Sequence, residues 1–239
     1  MKKGLLALAT ILLISLSLPC HAKNNSTQYP IVLVHGLLGF DSLLGVDYFH
    51  NIPSTLSLDG HQVFVAAVSA VHSSEFRGQQ LLAQVNHILA LTGAEKVNLI
   101  GHSQGAQTVR YVASISPNLV ASVTSIGGAN YGSTLADLIR EEIKPNSPSE
   151  HSFKLVFAAL GSMISLLSGH SDLPQDPLAA LHSLTSQGAS VFNQKYPEGL
   201  PPTACEQGQM LASNGVYYFS WSGTAALTNI LDPTDLSML

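Results

Sequence analysis

The chain has 239 residues, of which 46% are hydrophobic and 10% are charged, and its formal net charge is −5. This length suits one domain with a sizeable core. The lysines and arginines are scattered along a mildly acidic chain, so the composition excludes the basic stripe with which many proteins bind nucleic acid.

Residues 1–22 have the pattern of a signal peptide for export. Lysines at positions 2 and 3 form a charged start, residues 5–18 form an apolar stretch, and residues 20–22 form a small-residue cleavage site. The apolar stretch is shorter than the roughly 20 residues of a membrane-spanning helix. A lipoprotein interpretation is the weaker alternative, because the residues before Cys20 suit lipid attachment poorly. The pattern therefore predicts a secreted protein whose mature part begins at residue 23.

Removal of the signal peptide leaves Cys205 as a lone cysteine in a compartment that permits disulfides. An unpaired cysteine in a secreted protein indicates a missing partner or an intermolecular bond. The alternative is a buried free thiol that packs as a small hydrophobic side chain. The residues themselves leave both interpretations open.

Five short β-branched, apolar runs predict the strands of one α/β domain over residues 23–239. They cover residues 31–34, 63–68, 97–100, 123–126 and 216–221. Strands that are apolar on both faces and separated by helical patterns indicate a mostly parallel sheet covered by helices on both faces.

Two helices are predicted beside these strands. Residues 81–89 place apolar side chains on one helix face, with Ser73 or Ser74 to cap the start and Gly93 to end the helix. A second helix follows position 103 and ends at Pro117. Small residues at positions 105 and 106 predict a close approach of this second helix to the sheet.

The pentapeptide Gly101–Gly105 reads G-H-S-Q-G and directly follows the third predicted strand. An apolar strand that runs into G-x-S-x-G presents a serine nucleophile on a sharp turn, as in the α/β-hydrolase fold. A side chain at either glycine would collide with the strand or the following helix, and the serine holds a strained backbone. The motif predicts Ser103 as a catalytic nucleophile.

A serine nucleophile needs a base, usually a histidine oriented by a carboxylate, and backbone N–H groups directed at the developing oxyanion. One oxyanion donor is predicted to be the amide of Gln104, directly after the serine. The second is assigned to the amide of Leu37, in the glycine-bordered turn after the first strand. An ordinary glycine turn is the alternative, but the nearby nucleophile motif favours the oxyanion role.

The stretch from about residue 131 to residue 187 differs in residue pattern from the rest of the chain. Apolar residues between positions 155 and 167 give a strongly apolar helix flanked by serine- and glycine-rich turns. Such a helix is usually a core helix. After a serine nucleophile of this type, however, an apolar insert is more often a lid that opens on a lipid surface, so we assign residues 131–187 to a helical lid.

A substitute base within the chain is not expected. The histidines after Ser103 and the acidic residues available to orient them lie in the lid region, where each is expected to be a solvated surface residue: His151, His170, His182, Asp137, Asp172 and Asp176. His102 adjoins the nucleophile but does not easily turn back onto it. His35 is expected to brace the oxyanion loop, and Asp41 and Asp47 to form loops.

Five segments together resemble the secreted true lipases of Pseudomonas, Burkholderia and related Proteobacteria. They are residues 29–40, 45–49, 77–81, 96–103 and 221–223. The resemblance runs through essentially the whole mature chain. It implies a triacylglycerol lipase with an α/β-hydrolase fold, a mobile lid and a structural calcium ion. It also implies a dedicated membrane-anchored foldase and secretion from the periplasm through the outer membrane.

The resemblance also implies that parts of the catalytic machinery are missing. In this family the triad aspartate and histidine follow the segment that matches residues 231–235, as does the cysteine that would pair with Cys205. The chain ends at Leu239, so the comparison predicts a chain that lacks the C-terminal part of the fold. Asp232 matches the first calcium ligand of the family. One carboxylate does not supply the six to eight oxygens that calcium takes.

Two functional hypotheses follow. The first is a secreted carboxylic ester hydrolase that acts on acylglycerols at a lipid–water interface through an acyl-enzyme on Ser103. The second is a truncated, catalytically inactive lipase-like polypeptide that binds lipid or the foldase at most. A short-chain esterase is a further alternative, which the apolar lid disfavours because a soluble ester needs no apolar cover.

Overall fold

A five-stranded parallel sheet organises the domain. The computed structural model describes residues 26–201, 203 and 206–223, and the strand order is β4–β1–β5–β6–β7. The five strands of this sheet are β1 (Ile31–Val34), β4 (Val63–Ala66), β5 (Val97–His102), β6 (Val120–Ile126) and β7 (Tyr217–Trp221). Each neighbouring pair is parallel, so the strands end at the same edge of the sheet.

All five predicted strands are confirmed, with shifts of up to three residues at their ends. β5 continues two residues further than predicted, to His102, and β6 begins three residues earlier, at Val120. A small antiparallel hairpin, β2 (Ser42–Leu43) with β3 (Val46–Asp47), follows the loop after β1 and was not predicted. Its strands are two residues long, too short to show an alternating pattern.

Three helices cover one face of the sheet. They are α2 (Ser74–Thr92), α3 (Gly105–Ile115) and α7 (Ser186–Lys195), and they enclose the main core. The predicted caps of α2 are confirmed: the side chain of Ser73 accepts from the amide of Phe76, and Gly93 ends the helix at a φ of 68°. The close approach of α3 is confirmed as well, since a Cβ on Gly105 would meet the carbonyl oxygen of Val34.

The opposite face is covered unevenly. The short helix α1 (Ile52–Leu58) and the side chain of Phe49 pack over β4 and β1. Within the described residues, the β6–β7 end of this face carries exposed apolar side chains, with Trp221 70% exposed. The sheet therefore has helices on both faces, but the described helix on the second face protects only one end of it.

Three helices fill the stretch assigned to a lid. They are α4 (Thr134–Glu142), α5 (Pro148–Leu167) and α6 (Pro177–Leu184). The predicted apolar helix is α5, which starts at the N-cap Ser147 and is longer than the sequence pattern indicated. We call α4, α5 and α6, with the loops that join them, the cap helices.

Among the described residues, α5 alone is long and apolar enough to cross a membrane by length and composition. That test is weak, because apolar helices of many water-soluble proteins also pass it. Here the last half of α5 is tied to the domain: Ser165 accepts a hydrogen bond from Gln175, whose side-chain oxygen accepts from the amide of Val71 at 2.8 Å. The helix thus lies on the surface of the domain as part of its fold.

Candidate active site

Ser103 lies on the sharp turn between β5 and α3, with a backbone φ of +54°. This left-handed conformation is strained for a residue with a side chain and is typical of functional turns. The turn is tight because a Cβ on Gly101 would meet the carbonyl of Gly105. The amide of Ser103 donates to the carbonyl of Ile126 at 3.0 Å, which holds the turn against the end of β6. The strained turn expected from the pentapeptide is present.

The turn after β1 passes directly beside the serine. A Cβ on Gly36 would lie 2.8 Å from the Cβ of Ser103 and 3.2 Å from its Oγ, so only glycine allows this approach. The next residue is Leu37. Within the described part of the chain, neither the amide of Leu37 nor that of Gln104 has a hydrogen-bond acceptor. Both amides are therefore available as donors beside the serine, as the oxyanion prediction requires.

The carbonyl of Gly36 is the anchor that orients the Leu37 amide. This oxygen accepts from Nη2 of Arg77 at 3.1 Å, from Nδ1 of His35 at 2.9 Å and from the amide of Gly39 at 3.2 Å. The carbonyl of residue 36 and the N–H of residue 37 belong to one planar trans peptide, in which they point in opposite directions. Three donors on the oxygen therefore direct the N–H away from them.

Arg77 is fully buried and links the two segments that carry the predicted oxyanion donors. Its Nη2 donates to the carbonyl of His35 at 2.6 Å, and its Nη1 donates to Oε1 of Gln104 at 2.5 Å. Burial lowers the pKa of Arg77 to about 9, so the guanidinium remains charged at neutral pH. Bonds from a charged donor are stronger than neutral ones, so this side chain fastens the turn after β1 to the start of α3.

His35 is buried behind the turn, in the bracing position expected for it. Burial and, less strongly, the neighbouring Arg77 lower the pKa of His35 to about 3, so the ring is neutral. The amide of Val68 faces Nε2 at 3.5 Å and the carbonyl of Gly36 faces Nδ1 at 2.9 Å, a pattern that favours the tautomer with its proton on Nδ1, while Nη2 of Arg77 also lies 3.2 Å from Nδ1. A neutral histidine there adds a donor without placing a second charge beside Arg77.

Gln104 has a second role that the sequence analysis missed. The sequence predicted a role only for its amide, whereas its side chain is fully buried and donates to the carbonyl of His72 at 2.9 Å. Gln107, one turn further along α3, is also buried and bonds Ser74 and the carbonyl of Ala129. The available signal was the pair of glutamines three residues apart on the inward face of α3.

A cavity of about 710 Å³ opens onto Ser103, and its walls are mostly apolar. Leu37 borders the cavity on the oxyanion side, while Phe153 and Phe157 of α5 and Leu181 of α6 form part of the opposite wall. The cap helices therefore lie over the nucleophile. The described part of the chain thus presents a candidate nucleophile and an apolar cavity, and no histidine or acidic residue is among the described residues that line it.

None of the candidate substitutes for the base is among the described residues that line the cavity, but His170, Asp137 and Asp176 have partners and are not the solvated surface residues that were expected. His151 and His182 are exposed on α5 and α6, and His170 pairs with Asp41, with Nε2 and Oδ2 2.9 Å apart. The acidic residues have structural contacts or are exposed. Asp137 accepts from the amide and hydroxyl of Ser186, Asp176 caps α6, and Asp172 lies at the surface.

Cys205 and Asp232 lie outside the described residues, so their predicted roles remain predictions. Within the described part of the chain, no group of three or more His, Cys, Asp or Glu side chains is placed to hold a metal ion.

A parallel sheet, a serine on a strained strand–helix turn and two free amides beside it define the class of the α/β hydrolases. The sequence profile of the alpha/beta hydrolase fold matches residues 29–227. Three triacylglycerol lipases are close relatives in sequence. That of Vibrio cholerae is 60% identical over 212 residues, and that of Pseudomonas fragi is 46% identical over 214 residues. That of Burkholderia plantarii is 42% identical over 209 residues.

This chain belongs to the triacylglycerol lipase family of the α/β hydrolases. The matches cover 89% of the chain for the Vibrio lipase, 87% for the Pseudomonas lipase and 84% for the Burkholderia lipase. In return, the chain spans 68%, 73% and 58% of the lengths of these relatives. The family predicted from the five sequence segments is confirmed.

Solved structures show the same fold at lower identity. The mature form of a lipase from Bacillus licheniformis matches with a TM-score of 0.54 and 20% identity, over 80% of this chain and 64% of that one. A metagenomic carboxyl esterase matches with a TM-score of 0.52 and 21% identity, over 83% of this chain and 50% of that one. The α/β-hydrolase fold predicted from the sequence is therefore confirmed.

Proposed function

We propose that this chain carries the nucleophile, the oxyanion hole and the acyl-binding cavity of a lipase that hydrolyses acylglycerols. One observation carries the proposal: Ser103 stands on a strained turn at the wall of an apolar cavity of about 710 Å³ and lies beside the two free amides. The triacylglycerol lipases that match the chain support the substrate class.

In the proposed reaction, Oγ of Ser103 attacks the ester carbonyl carbon and gives up its proton to a base. The carbonyl oxygen becomes an oxyanion that the amides of Leu37 and Gln104 stabilise. Collapse of this tetrahedral intermediate expels the alcohol, which takes up the proton, and leaves the fatty acyl group on the serine. Water then attacks the acyl-enzyme, and the fatty acid leaves.

None of the described residues that line the cavity is a histidine or an acidic residue, so the proposed reaction needs a base from another part of the protein. Removal of the base from a serine hydrolase lowers turnover by about 10⁴–10⁶-fold, while the oxyanion hole and the binding cavity keep their smaller contributions. The second candidate function, a lipase-like chain that binds lipid without turnover, corresponds to that case.

The apolar surroundings favour a lipid substrate over a small soluble ester. Phe153 and Phe157 stack on each other with ring centroids 4.4 Å apart and border the cavity from α5. On the outside of the same helix, Leu155 and Val156 are 58% and 55% exposed. An apolar surface of this kind on a helix that covers the active site suits contact with a lipid surface.

The test is hydrolysis of emulsified triolein by the 239-residue chain beside the Ser103→Ala variant, with a water-soluble butyrate ester as the second substrate. Triolein hydrolysis that disappears in the variant supports the proposed function. Hydrolysis of the butyrate ester alone would favour the short-chain esterase. Equal rates for the chain and its variant, together with binding to the emulsion, would favour the lipase-like chain without turnover.

We further propose export, assistance by a foldase and a calcium ion, on the grounds given by the sequence. The pattern of residues 1–22 supports export through the periplasm, and the resemblance to the proteobacterial lipases supports the other two. The calcium proposal rests on Asp232 and is tested by the effect of a chelator on the unfolding temperature. An unchanged unfolding temperature would contradict it.

A further inference from the structure

Tyr48 follows the β2–β3 hairpin and is held by aromatic neighbours on several sides. Its ring centroid lies 5.8 Å from those of His35 and Phe40, 5.0 Å from that of Phe49 and 5.7 Å from that of His102. Tilted and edge-on ring contacts of this kind are favourable and restrict the orientation of the ring. The position of the hydroxyl is therefore set by packing.

The hydroxyl of Tyr48 joins two hydrogen bonds that cross from the oxyanion turn to the nucleophile strand. The amide of Gly36 donates to it at 3.2 Å, and the hydroxyl lies 2.6 Å from Nδ1 of His102. Burial lowers the pKa of His102, so its ring is neutral at pH 7. The hydroxyl and the ring share this hydrogen bond: Nδ1 accepts it when the ring proton is on Nε2 and donates it in the other tautomer.

Gly36 is consequently held at both ends. Its N–H is bound by Tyr48 on the side of the hairpin, and its carbonyl is bound by Arg77 on the side of α2. His102 directly precedes the nucleophile, so the bond from Tyr48 also reaches the strand that carries Ser103.

We propose that Tyr48 is a positioning residue of the oxyanion hole: its hydroxyl ties the turn that presents the Leu37 amide to the strand end that presents Ser103. This inference rests on the proposed function of those two residues. Tyr48 touches neither of them through its hydroxyl and acts through Gly36 and His102. Oxyanion donors need placement to within about 0.5 Å, which a second tie on the turn provides.

The test compares Tyr48→Phe with Tyr217→Phe, a matched loss of one hydroxyl from an exposed tyrosine of β7. Phenylalanine keeps the ring contacts and removes both hydrogen bonds. We expect the Gly36 amide to exchange with solvent deuterium about tenfold faster, the factor that the loss of one hydrogen bond produces. In nitrogen NMR spectra we expect the proton of His102 to redistribute between the two ring nitrogens. Tyr217→Phe should change neither quantity.

The kinetic readout separates positioning from a general loss of structure. With a soluble butyrate ester, we expect kcat of Tyr48→Phe to fall about tenfold or more while KM stays within about twofold, because oxyanion contacts strengthen chiefly in the transition state. A loss of folding would instead lower the amount of active enzyme. The fraction of folded chain, measured from NMR signal intensities, detects such a loss.

Two results would overturn the proposal. One is a Tyr48→Phe variant in which the exchange rate of the Gly36 amide and the proton position on His102 are the same as in Tyr217→Phe. The other is faster Gly36 exchange with unchanged kcat in a chain that hydrolyses esters. Absence of ester hydrolysis by the unaltered chain contradicts the proposed function instead. In that case the exchange rate of the Gly36 amide alone decides whether Tyr48 positions the turn.

Discussion

The regions below and above Ser103 are stabilised in different ways. Below the serine lies a buried polar network, whose central members Arg77, His35 and Gln104 are shielded from solvent and joined by hydrogen bonds. Above it lie the cap helices, which bury few of their large apolar side chains and expose several, among them Leu155 and Leu166. Around Ser103, therefore, polar side chains are buried and several large apolar side chains are exposed, which is the reverse of the usual arrangement.

The hydrogen bonds and ion pairs that hold the two regions also differ. The buried network is centred on one charged guanidinium with three carbonyl or amide oxygens around it. The cap helices carry surface pairs at their edges, Arg140 with Glu150 at 2.7 Å and His170 with Asp41 at 2.9 Å, besides the neutral hydrogen bonds of Gln175 with Ser165 and Val71. Surface pairs contribute little to stability, whereas buried charged hydrogen bonds are costly to break.

This difference separates two requirements of the proposed reaction. Stabilisation of an oxyanion needs donors whose positions are set before the substrate arrives. Access of a long acyl chain to a covered cavity needs a cover that moves at low cost. The buried network suits the first requirement, and the cap helices, with their exposed apolar side chains, suit the second.

The largest expected effect is that of Arg77→Met. Methionine fills a similar volume but leaves the buried carbonyl of His35 and the amide oxygen of Gln104 without the Arg77 donor, and removes one of the three donors of the Gly36 carbonyl. We expect a cost of at least about 3 kcal/mol of unfolding free energy. Urea unfolding followed by circular dichroism measures this loss. Arg140→Met is the matched control in the cap helices, and we expect it to change the unfolding midpoint much less. Equal losses would show that the two regions do not differ in this way.

A smaller effect is expected from pH. The pKa of His35 is about 3 in the folded chain and near 6.5 unfolded, so between these values the unfolded chain binds one more proton. Stability contributed by neutral His35 is complete above pH 6.5 and is lost as pH falls towards 3, by about 1.4 kcal/mol per pH unit. We expect His35→Asn to flatten the decline in unfolding free energy between pH 6 and about pH 4.

The control for this experiment is His182→Asn, which alters an exposed histidine of the cap helices. Its stability should follow the pH dependence of the unaltered chain. Burial also lowers the pKa of His72 and of His102, so the informative quantity is the difference in slope between the two variants. The same slope in both would contradict the assignment to His35.

The smallest effect on stability is expected for Leu155→Ser on the outer surface of α5. The side chain is 58% exposed, so the unfolding free energy should change by less than about 0.5 kcal/mol. Binding to triolein droplets should fall about tenfold, since a leucine side chain contributes about 1.5 kcal/mol or more when it enters an apolar phase. Binding is measured by sedimentation with the droplets in the Ser103→Ala background, where no substrate is consumed.

Leu58→Ser provides the comparison, because Leu58 is a highly exposed leucine on α1, on the second face of the sheet. We expect this variant to bind the droplets as the unaltered chain does. An equal loss in both variants would show that general surface hydrophobicity, and not the outer surface of α5, determines binding to lipid.

The sequence predicted much of the fold because its strongest signals are local. Each run of β-branched residues forms a strand, and the pentapeptide around Ser103 forms the strained turn. Ser73 and Gly93 cap the two ends of α2 as expected. The hairpin β2–β3 was missed because its strands hold two residues each. The roles of the Gln104 side chain and of Tyr48 were also missed, since their partners lie 27 and 54 positions away in the sequence.

By itself, the sequence determined the family and the order of strands and helices along the chain, and it singled out Ser103 as the candidate nucleophile. These follow from spacing and local sterics, which act between residues a few positions apart. Only the tertiary structure decided which side chains hold the oxyanion turn and which surface of α5 remains exposed. Those outcomes depend on packing between segments distant in sequence. This packing buries Arg77 among its hydrogen-bond partners and leaves Leu155 in contact with solvent.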